Sequence, residues 1–101
     1  MAKEKLNIPI AKTEFDGEDF QAQLKPLKSG WIVQGPYVNE FEEKWSAFTG
    51  AKYSIATTSC TSALHMSLVA LDLKEDDEVI VPAFTWISSA NVVEHIKAKV
   101  V

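Results

Sequence analysis

Apolar positions along the chain fall into helical stripes separated by short continuous runs. Phe20, Leu24 and Leu27 recur at i, i+4 and i+7, so one face of a first helix is apolar. Asp16 ahead of them reads as its N-cap, with Asp19 three residues on. Pro26 falls inside the stripe and is expected to end or kink the helix near Lys25. Val38, Phe41, Trp45 and Phe48 draw a second stripe, with Pro36 at its first position and Gly50 as its C-cap. Before these helices, residues 1–15 read as an extended arm containing Pro9. Between them lies SGWIVQG, residues 29–35, a loop of unusually bulky apolar content bounded by glycines.

The second half alternates differently. A strand is expected at about Lys52–Ala56, then a hydroxyl-rich turn, then a helix at about Thr61–Leu71. That helix is apolar on more than one face and should be well covered by other structure. LKEDDE, from Leu73 to Glu78, is an acidic, solvated loop. EVIVP, residues 78–82, reads as a buried parallel strand because it is continuously apolar and ends in proline. Thr85 is expected to cap a further helix, with Trp86, Ala90, Val93 and Ile96 on one face. The closing KVV begins a third strand. The sum is βαβαβ with short links, which favours an α/β fold with a mostly parallel sheet and right-handed crossovers. The last run is still apolar where it stops, and three short parallel strands need cover on both faces. The expectation is the N-terminal portion of a larger domain, divided into 1–35 (arm, first helix and loop) and 36–101 (second helix and the start of the sheet).

Composition narrows the chemistry. The net charge is −4 and all ten basic residues are lysine, scattered along the chain. No nucleic-acid surface is expected from that balance. No apolar run approaches the ~20 residues of a membrane span, and MAKEKLNIPI lacks the core of a secretory signal. One cysteine and two histidines make neither an internal disulfide nor a dedicated zinc site, and fit a cytoplasmic protein.

The stretch ATTSCTSALH, residues 56–65, places five hydroxyls where a strand should become a helix. Two readings stand. Ser and Thr cap helices, and a helix start offers free N–H groups and the positive dipole end to a phosphate or carboxylate. Thr61 and Ser62 would add hydroxyl donors to such a site. PAFTW, residues 82–86, should form the equivalent turn after the next strand and bring an indole, Trp86, which on a helical face would otherwise be core.

From SGWIVQGPYVNEFEEKWSAFTGAKYSIATTSCTSALHMSLVALDL through EVIVPAFTWISSANVV, most of residues 29–93, the chain resembles the DegT/DnrJ/EryC1/StrS family of pyridoxal phosphate (PLP)-dependent nucleotide-sugar aminotransferases. The order carries the resemblance: a Gly-Trp loop, a helix with F-E, G-A-K-Y, an S-x-T-x-A-L turn, D-E-V-I-V-P, then T-W. It implies the N-terminal part of a PLP-dependent transferase domain of the aspartate aminotransferase type (fold type I). It implies that Cys60, Thr61 and Ser62 hold the PLP phosphate and that Trp86 stacks on the pyridine ring. It places the loop from Gly30-Trp31 to Gly35 near the active site and the subunit interface, with Trp31 and Gly35 as candidate substrate contacts. Cys60 departs from the family, where glycine is common at that position.

No catalytic residue is assigned within the chain, because the resemblance puts the Schiff-base lysine beyond Val101. The 101-residue chain by itself is therefore expected to be inactive. The whole protein would be a homodimeric, cytoplasmic enzyme that transfers an amino group, from glutamate, to a nucleotide-linked keto-sugar in polysaccharide biosynthesis. Three rivals stay open: a PLP-dependent sugar dehydratase of the same family, a non-catalytic regulatory module, and a phosphate-binding α/β protein without PLP.

Overall fold

The computed structural model of the chain describes residues 9–101. In chain order the elements are α1 (Gly17–Ser29), α2 (Pro36–Thr49), α3 (Cys60–Ala70), β1 (Glu78–Val79), α4 (Ser88–His95) and β2 (Lys99–Val100). The described residues form two compact units, one ending at Asn39 and one spanning Glu40–Val101. The expected arm lies partly outside the described residues; from Pro9 to Phe15 there is neither helix nor strand.

In the first unit, α1 begins as the sequence requires. Asp16 is the N-cap, its side chain accepts from the Glu18 and Asp19 N–H groups, and Asp19 reciprocates to the Asp16 N–H at 3.0 Å. Pro26 does not stop the helix, which runs three residues further to Ser29. Near a helix C-terminus a proline forfeits one N–H bond but few following turns depend on it. The Ser29 hydroxyl donates to the Pro26 carbonyl at 2.7 Å, and Gly30, at φ 72°, closes the end by donating to the Leu27 carbonyl.

α2 starts at Pro36, and Gly50, at φ 75°, donates to the Ser46 carbonyl at its end. Its aromatic stripe stays together, with ring centroids 6.0 Å apart for Phe41–Trp45 and 5.9 Å for Trp45–Phe48.

The second unit holds the core. β1 and β2 pair in parallel, Glu78 opposite Lys99 and Val79 opposite Val100, with α4 as the connection between them. The ladder continues past both ends through Lys99 N–H to the Asp77 carbonyl and Val81 N–H to the Val101 carbonyl. Val92, Val93 and Ala98 are buried, and Leu64, Leu68, Val79, Val81, Ile96 and Val100 pack around them. Full burial of each valine contributes about 1.5–3 kcal/mol, so this βαβ unit and the face of α3 against it anchor the second unit.

Four expectations fail here. The run 78–82 is not buried: its strand is confined to Glu78–Val79, and Ile80 is 86% exposed. Residues 52–56 form no strand: no second strand lies beside them among the described residues, and the Ala56 N–H is taken by a side chain of α2, Glu42. α3 has no fully buried residue; Leu64 and Leu68 face the core, while Met66 and Val69 are exposed. Thr85 does not cap α4, which begins at Ser88 after Ile87 and has no side-chain cap bond. Trp86 therefore lies before the helix and not on its apolar stripe.

Candidate functional site

The hydroxyl cluster divides its labour. Ser59 is the N-cap of α3, with extended backbone (φ −160°, ψ 159°), and its Oγ accepts from the Ser62 N–H at 3.1 Å. The Ser62 hydroxyl lies 3.0 Å from the Ser59 Oγ, and the Thr57 hydroxyl donates to the Ser59 carbonyl at 2.9 Å. Thr61 is the exception: among the described residues its hydroxyl meets no partner. The N–H groups of Cys60 and Thr61, in the first turn, have no carbonyl four residues back within the helix. The first turn of this 11-residue helix thus carries two open backbone donors and one unpartnered hydroxyl at its positive end. Cys60 is exposed and free, so its side chain is not folded into the turn's hydrogen bonding.

Of the three residues expected to act as a group, Cys60 and Thr61 offer open N–H donors, whereas the Ser62 N–H is already spent on the cap. Sequence reasoning missed this role of Ser59. The signal was present in the hydroxyl run, but assigning it needed the helix start to the residue.

Trp86 is 79% exposed, with its carbonyl accepting from the Ser89 N–H at 3.0 Å. Its indole is not core packing. No ring contact or hydrogen bond joins it to residues 60–62 among the described residues. Thr85, beside it, has its hydroxyl 3.4 Å from that of Ser89.

Trp31 and Gly35 are brought together within the first unit. The Trp31 indole N–H donates to the Gln34 carbonyl at 3.0 Å, which folds the ring back over the loop. A Cβ at Gly35 would stand 1.9 Å from Nε1 of that indole, so any larger residue there would displace the ring. Trp31, Ile32 and Val33, together with Leu27, Tyr37 and Val38, line an open apolar depression of about 390 Å³.

Two side chains of α2 hold the segment that leads into the turn. The Glu42 carboxylate accepts from the Ala56 N–H at 2.7 Å, and the Ser46 hydroxyl lies 2.8 Å from that of Ser54. Both contacts are part-buried, and no sequence motif pointed to either.

The chain superposes on PLP-dependent sugar aminotransferases of fold type I, and its parallel βαβ unit fits part of their large domain. The sequence profile of the DegT/DnrJ/EryC1/StrS aminotransferase family matches residues 13–101, and the chain belongs to that family. A curated relative, the UDP-4-amino-4-deoxy-L-arabinose–oxoglutarate aminotransferase of Shewanella sediminis, is 36% identical over 92 residues, 91% of this chain and 24% of its own length. Spr1654 of Streptococcus pneumoniae, a candidate sugar aminotransferase solved in its PLP form, superposes with a TM-score of 0.81 at 34% identity, over 95% of this chain and 24% of that one. The GDP-4-keto-6-deoxy-D-mannose-3-dehydratase of E. coli, solved with bound hydrated PLP, gives a TM-score of 0.82 at 27% identity, over 96% and 26% respectively. The chain thus spans about a quarter of the length of these relatives. Pyridoxal phosphate is the family's cofactor. The donor set at the start of α3 fits its phosphate: two open N–H groups and a hydroxyl can share a dianion that the helix dipole favours.

Proposed function

We propose that the whole protein is a PLP-dependent aminotransferase that moves an amino group from glutamate to a nucleotide-linked keto-sugar, and that this chain supplies the phosphate side of its cofactor site. The observation that carries the reading is the Thr61 hydroxyl, unpartnered among the described residues, beside the open Cys60 and Thr61 N–H groups at the start of α3. These donors hold the phosphate, and the helix dipole offsets its charge. Trp86 presents a flat exposed ring for the pyridine face. The loop around Trp31 and Gly35 lies against the substrate and a second subunit of a homodimer. When bound, PLP supplies the electron sink for breaking and making carbon–nitrogen bonds, while the protein orients it. The setting is the cytoplasm and polysaccharide biosynthesis. No helix among the described residues is long and apolar enough to cross a membrane.

A second reading, dehydration of the sugar, is favoured by the superposition on the E. coli dehydratase, as close as that on Spr1654. Incubating the full-length protein with PLP, glutamate and a nucleotide-linked 4-keto-sugar decides between them. Stoichiometric 2-oxoglutarate and amino sugar are expected. Loss of water from the sugar with no amino sugar formed selects the dehydratase, and neither product overturns both readings.

A further inference from the structure

The phosphate turn is preceded by a segment that has no strand partner among the described residues, yet a site built from backbone N–H groups needs its backbone fixed. The backbone that must be held is residues 52–56, which feed directly into Thr57 and the Ser59 cap. Two side chains of α2 grip it. Glu42 and Ser46 are one helical turn apart and so lie on one face, about 6 Å from each other. Ser54 and Ala56 are two residues apart on the segment, about 6.6 Å in an extended chain. The two spacings match, so both grips form at once: the Glu42 carboxylate to the Ala56 N–H at 2.7 Å, and the Ser46 hydroxyl to that of Ser54 at 2.8 Å. The first is charge-assisted and part-buried, which makes it the stronger of the pair. Tyr53 and Ile55, the alternate residues, are 75% and 72% exposed, so among the described residues apolar packing does not hold the segment in place.

We propose that Glu42, supported by Ser46, is a positioning residue for the phosphate turn: it fixes Ala56 so that the start of α3 presents its donors in register. This rests on the reading of α3 as the PLP phosphate site. Glu42 touches the backbone and not the cofactor, and its effect passes through the chain from Ala56 to Ser59.

The test uses the full-length protein, with PLP affinity, the ³¹P resonance of bound PLP and the melting temperature measured for Glu42→Ala, Glu42→Gln, Ser46→Ala and Thr61→Val. Glu42→Ala should weaken PLP binding about tenfold and move or broaden the ³¹P resonance. Glu42→Gln, which keeps an acceptor oxygen, should restore most of the affinity and the parent resonance. A Glu42→Ala protein that melts lower but binds PLP within about twofold of the parent, with the ³¹P signal unmoved, overturns the proposal and leaves Glu42 a structural tie. Should Glu42→Ala fail to fold, Ser46→Ala takes its place: about a threefold loss of affinity is expected, and none overturns the proposal. Thr61→Val separates the two ideas. If it weakens PLP binding while the α2 variants do not, only the positioning role falls. If it changes nothing, the phosphate reading falls and takes this one with it.

Discussion

Two helix starts in the same compact unit solve the same problem differently. At α3 a serine takes the cap, the Ser62 hydroxyl lies within reach of those of Ser59 and Thr58, and Cys60 and Thr61 keep their N–H donors open. At α4 no side chain caps the first turn, the preceding threonine lies only within loose reach of Ser89, and a bare indole stands outside the helix. A helix whose N-terminus is to serve a ligand, as proposed for α3, needs its shape fixed by something other than the ligand. Ser59 does that for α3, which leaves Thr61 spare. α4 is fixed by burial instead, since Val92 and Val93 lie in the core. Its preceding turn is free to hold Trp86 in the open.

The largest effect should come from the spare hydroxyl. Thr61→Val keeps the shape of the side chain and removes a donor that no atom of the described residues uses. A hydrogen bond to a charged group contributes about 1.5–3 kcal/mol, so PLP affinity of the full-length protein should fall roughly ten- to a hundredfold. The unfolding free energy without cofactor should stay within about 0.5 kcal/mol. A titration and a melt check both halves. Lost stability with unchanged affinity would make the two helix starts alike after all.

Ser59→Ala should show the opposite pattern. Losing the cap costs about 1 kcal/mol of stability, within a range of roughly 0.5–2. It also frees the Ser62 N–H and removes the hydroxyl partner of Ser62. Chemical denaturation measures the loss, and a variant as stable as the parent would show that the turn does not depend on its cap.

How far these roles could be read from the sequence follows from the range of the interactions that set them. The Asp16–Asp19 box, Pro36 at a helix start and Gly50 at a helix end are decided within four residues, and all three stand as expected. The parallel pairing of residues 78–79 with 99–100 was also legible, because continuous apolar runs separated by a helical segment leave few alternatives. The roles of Ser59 and Thr61 were half legible. Their chemistry was plain, but a shift of one residue in the helix start exchanges cap and free donor. The expected strand at residues 52–56 could exist only by pairing, and among the described residues what meets Ala56 is a carboxylate fourteen positions earlier. Asp72 and Lys97 escaped notice too. They end α3 and α4 at φ 57° and 60°, where glycine is the usual choice, because the carbonyls of Leu68 and Val93 accept from the residue that follows each.

Trp86 should behave as surface in the absence of cofactor. Its 79% exposure predicts that Trp86→Ala changes unfolding free energy by no more than about 0.5 kcal/mol, far below the 3–5 kcal/mol of a core aromatic. In the full-length protein the same change should weaken PLP binding severalfold, in keeping with the roughly 0.5–1.5 kcal/mol of an aromatic pair. Trp86→Phe should retain most of the affinity. Equal PLP affinity in all three proteins would remove the indole from the site.

The smallest effect is expected at Thr85, and its smallness is what separates the two helix starts. From the sequence, Thr85 and Ser59 look equivalent: each is a hydroxyl residue after an apolar run and before a helix. Were Thr85 a cap, Thr85→Ala would cost the same 1 kcal/mol or so as Ser59→Ala. Its hydroxyl instead lies 3.4 Å from the Ser89 hydroxyl and accepts from no backbone N–H of α4. An exposed hydroxyl pair at that distance contributes little, so the change should stay within about 0.5 kcal/mol. Measured side by side under one denaturant series, the two alanine variants should differ by about 1 kcal/mol. If they cost the same, α4 is capped by Thr85 in solution, Trp86 moves into the first turn of the helix, and the exposed indole loses its basis.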